Sequence, residues 1–133
     1  MNLVIDSDIL IYFLKGHIEI VEKLSGYPAE ALFTTRINYT ELLYGAYNST
    51  KVEHNLSKIR ALLTMLPILE FDQTASVIFA QDKAALKRQG TLIADRDLMI
   101  ASITKANGFS LVTNNGKHFD RIENLKLVRW LSL

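Results

Sequence analysis

Apolar and polar positions along the chain come in short alternating blocks. Leu3-Val4-Ile5 is an apolar run that stops at Asp6-Ser7-Asp8, and apolar sequence resumes at once with Ile9-Leu10-Ile11. A bounded run of this kind predicts a strand buried on both faces, as in a parallel sheet. A helical turn or two over 9–15 then closes at Gly16, a good residue just past a helix end. A second short helix follows over 18–24, with Ile18, Val21 and Leu24 on one side. After a turn at Gly26-Tyr27-Pro28, the second strand is predicted at 31–35 and a helix at 37–46. That helix carries Ile37, Glu41, Tyr44 and Gly45 on one stripe, where Gly45 permits close backbone approach. A longer amphipathic helix over 52–66 repeats Leu56, Ile59, Leu63 and Leu66 until Pro67 stops it. The third strand is 68–71, and Asp72 caps a helix over 73–89 whose inward positions are Val77, Ala80, Ala84 and Leu86. Ala94-Asp95-Arg96-Asp97 opens a helix over 98–106, 109–113 is the fourth strand, and 127–130 is a short last one.

Strands alternating with helices predict an α/β fold: a central, mostly parallel sheet of 4–5 strands with helices on both faces, in one domain over 1–133. Hydrophobic residues make up 49% and charged residues 22%, ordinary for a globular protein. With no cysteine there is neither a disulfide framework nor a Cys-based zinc site. No apolar stretch approaches the ~18 residues of a membrane span. Met1 runs directly into the first strand, so no signal peptide is expected, and a cytoplasmic location is. Charge is nearly balanced, 15 Lys plus Arg against 14 Asp plus Glu. A polyanionic partner therefore requires local basic clusters or a bound metal.

The acids are what change the picture. Asp6 and Asp8 stand at the carboxyl end of the first strand, where open α/β sheets bind ligands. An ionised carboxylate there needs a partner, often a metal. Capping of the following helix by Asp6 or Ser7 explains one residue, not two acids. Glu41 is either a wet residue complementing a helix dipole or a ligand facing the crevice. Asp97 begins the apolar stripe that continues through Ile100, Ala101 and Thr104, whereas Asp95 is the natural N-cap and lies outside it. Asn114-Asn115-Gly116 ends the fourth strand, as a plain turn would. Oxygen ligands clustered on one rim, with no Cys and little His, select Mg²⁺ or Mn²⁺. Such an ion suits phosphodiester hydrolysis.

Four segments carry a family resemblance: Val4-Ile5-Asp6-Ser7-Asp8, Asn38-Tyr39-Thr40-Glu41-Leu42-Leu43-Tyr44-Gly45, Asp97-Leu98-Met99-Ile100-Ala101-Ser102, and Leu111-Val112-Thr113-Asn114-Asn115 with His118-Phe119. In that order and spacing the sequence resembles the PIN-domain ribonucleases, and within them the VapC-type toxins of toxin–antitoxin pairs. The resemblance implies the PIN-like three-layer fold and a Mg²⁺- or Mn²⁺-dependent endoribonuclease that inhibits translation. Asp6, Glu41 and Asp97 would be its acidic, metal-holding core, with Asn115, Asp8 and Asp95 as outer groups. Asn115 stands where the family often has a further acid, which makes a second ion weakly held. Thr113 and Asn114 would support the site, Thr113 by orienting a carboxylate. The implied partners are RNA (tRNA or another structured RNA), a small VapB-type antitoxin lying across a groove, and a second copy in a helix-mediated homodimer. Tyr12, Phe13, Tyr44 and Tyr47 are candidates to line that groove, and core packing explains some of them equally well. Arg36, Lys117, His118 and Arg121 are assigned to RNA phosphates, although His118 fits an ordinary surface histidine as well.

Rival readings come from other classes. A receiver-type switch would use Asp6, Asp8, Asp72, Thr113 and Lys117, but too many helices separate Asp6 from Asp72. A phosphatase of the haloacid dehalogenase type would use the Asp-x-Asp after the strand, but the later acidic pair is missing. A catalytically weak PIN-like module that only binds RNA or protein has the amide at Asn115 in its favour. Retention of Asp6, Glu41 and Asp97 argues against it.

Overall fold

The computed structural model describes residues 1–131, and in it the first apolar run, β1 (Leu3–Ile5), is the middle strand of a five-stranded sheet. The other strands are β2 (Leu32–Thr35), β3 (Ile68–Leu69), β4 (Ser110–Val112) and β5 (Lys126–Val128). Their order is β3-β2-β1-β4-β5, and every pairing is parallel. Helices fill the connections: α1 (Ser7–Leu14), α2 (Ile18–Ser25), α3 (Arg36–Tyr47), α4 (Val52–Leu63), α5 (Gln73–Arg88), α6 (Asp95–Ala106) and α7 (Gly116–Phe119).

Side-chain alternation along the central strands creates two cores. Leu3, Ile5 and Val112 face one side, where they pack with Leu10, Leu42, Leu56, Ile59 and Trp130. Val4 and Leu111 face the other, against Leu86, Leu98, Ile100 and Phe119. The result is the expected three-layer α/β architecture with helices on both faces.

The structure corrects several of the inward faces. On α2 the buried residues are Ile20 and Leu24, while Ile18 is exposed. On α3 they are Asn38, Leu42 and Ala46; Tyr44 points out, and Gly45 has open space where a Cβ would stand, so it serves no close approach. Helix α4 ends three residues early, and Leu62 replaces Leu63 as the buried position. On α5 only Ala75 and Leu86 are buried, whereas Val77, Ala80 and Ala84 lie on the surface. Ala94, not Asp95, is the N-cap of α6. Asp72 caps α5 as expected, accepting from the Ala75 N–H at 2.9 Å. Gly16 ends the first helical segment with φ 75°, a conformation that only glycine adopts without strain.

Parallel strands put their carboxyl ends on one rim. Asp6 follows β1 there, Thr113 follows β4, and α3 starts there from β2. Thr34 on β2 donates its hydroxyl to the Ile5 carbonyl at 2.9 Å, tying the end of β1 to its neighbour just before Asp6. Among the described residues no helix is long and apolar enough to cross a membrane.

Candidate active site

Asp6 is the fixed point of the rim. Its carboxylate is fully buried and accepts hydrogen bonds at both oxygens. Oδ1 takes the Ser7 N–H and the Asn38 Nδ2, each at 2.8 Å; Oδ2 takes the Thr113 hydroxyl at 2.8 Å. Asp6 thus caps α1 and remains aimed into the crevice. Thr113, which follows β4, thereby ties that strand end to the Asp6 carboxylate. Asn38 makes a fork, donating also to the Ser7 Oγ at 2.8 Å, while its own oxygen accepts from Thr35 Oγ1 at 2.7 Å. Ser7 in turn donates to Glu41 Oε1 at 2.6 Å. Sequence to geometry is direct here: Asn38 and Glu41 are three apart on α3, so one helix face delivers both.

Asp97 enters from the first turn of α6 and is almost fully buried. Between it, Glu41 and Asp6 lies the guanidinium of Arg96. Nε and Nη2 bond both oxygens of Glu41, Nη1 bonds Asp97 Oδ1, and Nη2 reaches Asp6 Oδ1 at 3.4 Å. Burial lowers the Arg96 pKa, but the hydrogen bonds it donates to Glu41 and the charges of Asp6, Glu41 and Asp97 outweigh it, leaving it above the ordinary arginine value. The guanidinium is therefore a permanent cation within this cluster.

Asp8 lies behind this group. It accepts from the backbone N–H of Ile9 and Asn114, at 2.7 and 2.9 Å, and from the Asn115 amide at 3.2 Å. Burial and then the charge of Asp6 push its carboxyl up to about 6 from 3.8, against the lowering effect of those N–H groups. Because the folded protein holds this proton more tightly, the Asp8 contribution to stability is fully present below 3.8 and is lost as pH rises through about 6. NMR titration of the Asp8 carboxyl in metal-free protein should give a midpoint near 6, and urea unfolding should show stability falling across that window. A midpoint at the ordinary value would refute the buried, acid-neighboured environment.

The remaining candidates divide. Lys117, His118 and Arg121 line one side of a cavity of about 380 Å³, with Asp97, Leu92, Ile93 and Ala94 on the other. His118 Nδ1 is 3.3 Å from Asp97 Oδ2. Arg36 does not line this cavity. It pairs with Glu70, its Nε at 2.9 Å, and lies over the Tyr39 ring at 4.9 Å. Asp95 is exposed and bonded to Lys83 at 2.9 Å, away from the cluster. Beside Glu41 a second, largely apolar groove of about 360 Å³ runs among Ile11, Leu14, Leu42, Ala46 and Ile59. Its lining does not include Tyr12, Phe13, Tyr44 or Tyr47.

The sequence gives Asn38 and Arg96 no role of their own, and offers Ser7 only as an alternative to Asp6 for the helix cap, which Asp6 takes. Asn38 was signalled by its helical register with Glu41. Arg96 gave no signal, because adjacent helix residues point about 100° apart, and only its long side chain brings it back beside Asp97.

The donor set is all oxygen, and three carboxylates converge on one cationic position, which fits a hard divalent ion. Asn114 Oδ1, buried without a protein partner in the loop after Thr113, is a further free acceptor. Among the described residues, no three acidic or imidazole groups already stand at ligand spacing. The guanidinium sits between them.

A PIN domain match spans residues 3–125. The chain is 32% identical to a protein of Haemophilus influenzae named Ribonuclease VapC2, over 98% of this chain and 99% of that one. It is 28% identical to a tRNA(fMet)-specific endonuclease VapC of Salmonella typhimurium, over 98% of each. In structure it is similar to VapBC2 from Rickettsia felis bound to a DNA fragment from their promoter, with TM-score 0.91 and 32% identity over 98% of this chain and all of that one.

Proposed function

Because the chain belongs to the PIN-domain family and stands among its VapC-type members, we propose that it is a divalent-metal-dependent endoribonuclease, the toxin of a VapBC-type pair. The observation that carries the reading is the convergence of Asp6, Glu41 and Asp97 on a single cation position at the rim of the sheet. Mg²⁺ or Mn²⁺, when bound there, supplies Lewis acidity toward water and a phosphate oxygen. The chain's own residues do the rest. Thr113 and Asn38 fix the Asp6 carboxylate from opposite sides, and Ser7 fixes Glu41. Such outer partners keep ligands in register. Lys117 and Arg121 supply positive charge beside Asp97, where an RNA backbone would be positioned without regard to sequence. Asn115 adds no negative charge and is engaged with Asp8, so the reading is of one strongly held ion. The substrate class is structured RNA, tRNA included, and cutting it in the cytoplasm would arrest translation.

Two partners complete the reading. The apolar groove beside Glu41, with Lys15 and Lys58 among its lining residues, is the proposed seat of the carboxyl segment of a VapB-type antitoxin. Occupation there would also block the carboxylates. Val77, Ala80 and Ala84 form an outward apolar stripe at helical spacing on α5, a face suited to a second copy of the chain. A mass of one chain in light scattering at working concentration would overturn the homodimer.

The experiment that tests the function is cleavage of total RNA and tRNA by antitoxin-free protein with Mn²⁺, Mg²⁺ or EDTA. Discrete products that disappear with EDTA are expected. Mn²⁺ binding without products would retain the metal and remove the substrate class. Neither binding nor cleavage would favour the module that only binds RNA or protein.

A further inference from the structure

We propose that Arg96 is a built-in competitor of the metal: its guanidinium and a divalent cation take the same carboxylate oxygens, so the ion enters only as the arginine leaves. The proposal rests on the metal-dependent reading above.

The geometry leaves little room for both. Both oxygens of Glu41, Asp97 Oδ1 and Asp6 Oδ1 point at the guanidinium. The remaining oxygens of Asp6 and Asp97 are already directed elsewhere, to Thr113 and His118. An ion shared by the three carboxylates must therefore use oxygens that Arg96 now holds. The arginine is a good stand-in, since its planar fork spans two carboxylates and bonds a third. It is also able to leave, because about a third of its side chain is exposed (34%). In its absence three acids would face one another unneutralised, so Arg96 also holds the metal-free site together.

Competition of this kind lowers apparent metal affinity by the fraction of molecules in which the site is free. If Arg96 occupies the cluster nine-tenths of the time, removing it tightens metal binding about tenfold. The same removal costs stability only when no metal is present.

The test is calorimetric Mn²⁺ binding to the whole chain, parent against Arg96→Gln, with Lys83→Gln as a control for loss of one positive charge on the neighbouring Asp95. Arg96→Gln should bind Mn²⁺ roughly tenfold or more tightly, and Lys83→Gln should match the parent. Thermal melts should place metal-free Arg96→Gln below the parent and narrow the gap when Mn²⁺ is added. Should Arg96→Gln fail to fold, Arg96→Lys, which keeps the charge but loses the fork, should still bind more tightly than the parent. Equal or weaker Mn²⁺ binding by the folded variant overturns the competition while leaving the metal reading intact. Mn²⁺ binding by neither parent nor variant overturns the metal reading, and the competition with it.

Discussion

Replacing Asp97 by Asn is expected to lower RNA cleavage at least about a hundredfold, the scale on which enzymes lose rate when one group aimed at developing charge is removed. Asp97 is the cleanest place to test the carboxylate cluster. Its protein partners are Arg96 and His118, both partly exposed and able to reorient. The amide is isosteric, so the packing of α6 against the sheet is untouched. Gel cleavage assays alongside circular dichroism separate lost chemistry from lost fold. A well-folded variant that cuts as fast as the parent would remove Asp97 from the site. Asp6→Asn is less informative. Metal-free repulsion among the acids suggests that it should stabilise the chain, but Asp6 is fully buried and accepts from Ser7, Asn38 and Thr113, and Arg96 already offsets part of the repulsion. An amide there would turn a donor toward a donor, costing about 1–3 kcal/mol for a buried polar group left unsatisfied.

What the sequence made legible was whatever burial imposes on a short, unambiguous pattern. Leu3-Val4-Ile5 fitted a strand covered on both faces, which it is, and its carboxyl end located Asp6. Asp97 stood out because it occupied an inward register on α6, and it is indeed buried there. The pattern misled where an apolar stripe does not face the core of its own chain. On α5 the periodicity of Val77, Ala80 and Ala84 is real, yet Val77 is half exposed and Ala75 and Leu86 are the buried positions. Periodicity reports that a face is apolar, not what covers it. Tyr44 failed for a related reason: amphipathic residues sit at surface and core alike. Arg96 is a different case. Its position depends on a long side chain bending across the site to satisfy acids from three separate elements, information that no local window contains.

The second large effect is expected at a residue with no acid–base chemistry of its own. Asn38→Asp should destabilise the metal-free protein by about 3–5 kcal/mol at neutral pH, the cost of an uncompensated buried charge. Asn38 is fully buried, and its Nδ2 donates to both Asp6 Oδ1 and Ser7 Oγ. A carboxylate in its place would lose both donors and set a second negative charge within hydrogen-bonding distance of Asp6. Arg96 offers little relief, being committed to Glu41 and Asp97 with only a long contact to Asp6. Two such acids do not both ionise, and one takes up a proton with a raised pKa. The folded variant then binds more protons than its unfolded chain, so its stability should recover as pH falls and decline as pH rises. Urea unfolding of parent and variant from acid to neutral pH measures this directly, with the gap between them widening toward neutrality. A constant gap across that range would mean that the introduced carboxyl had escaped to solvent, and that the amide fork is not what holds Asp6 in place.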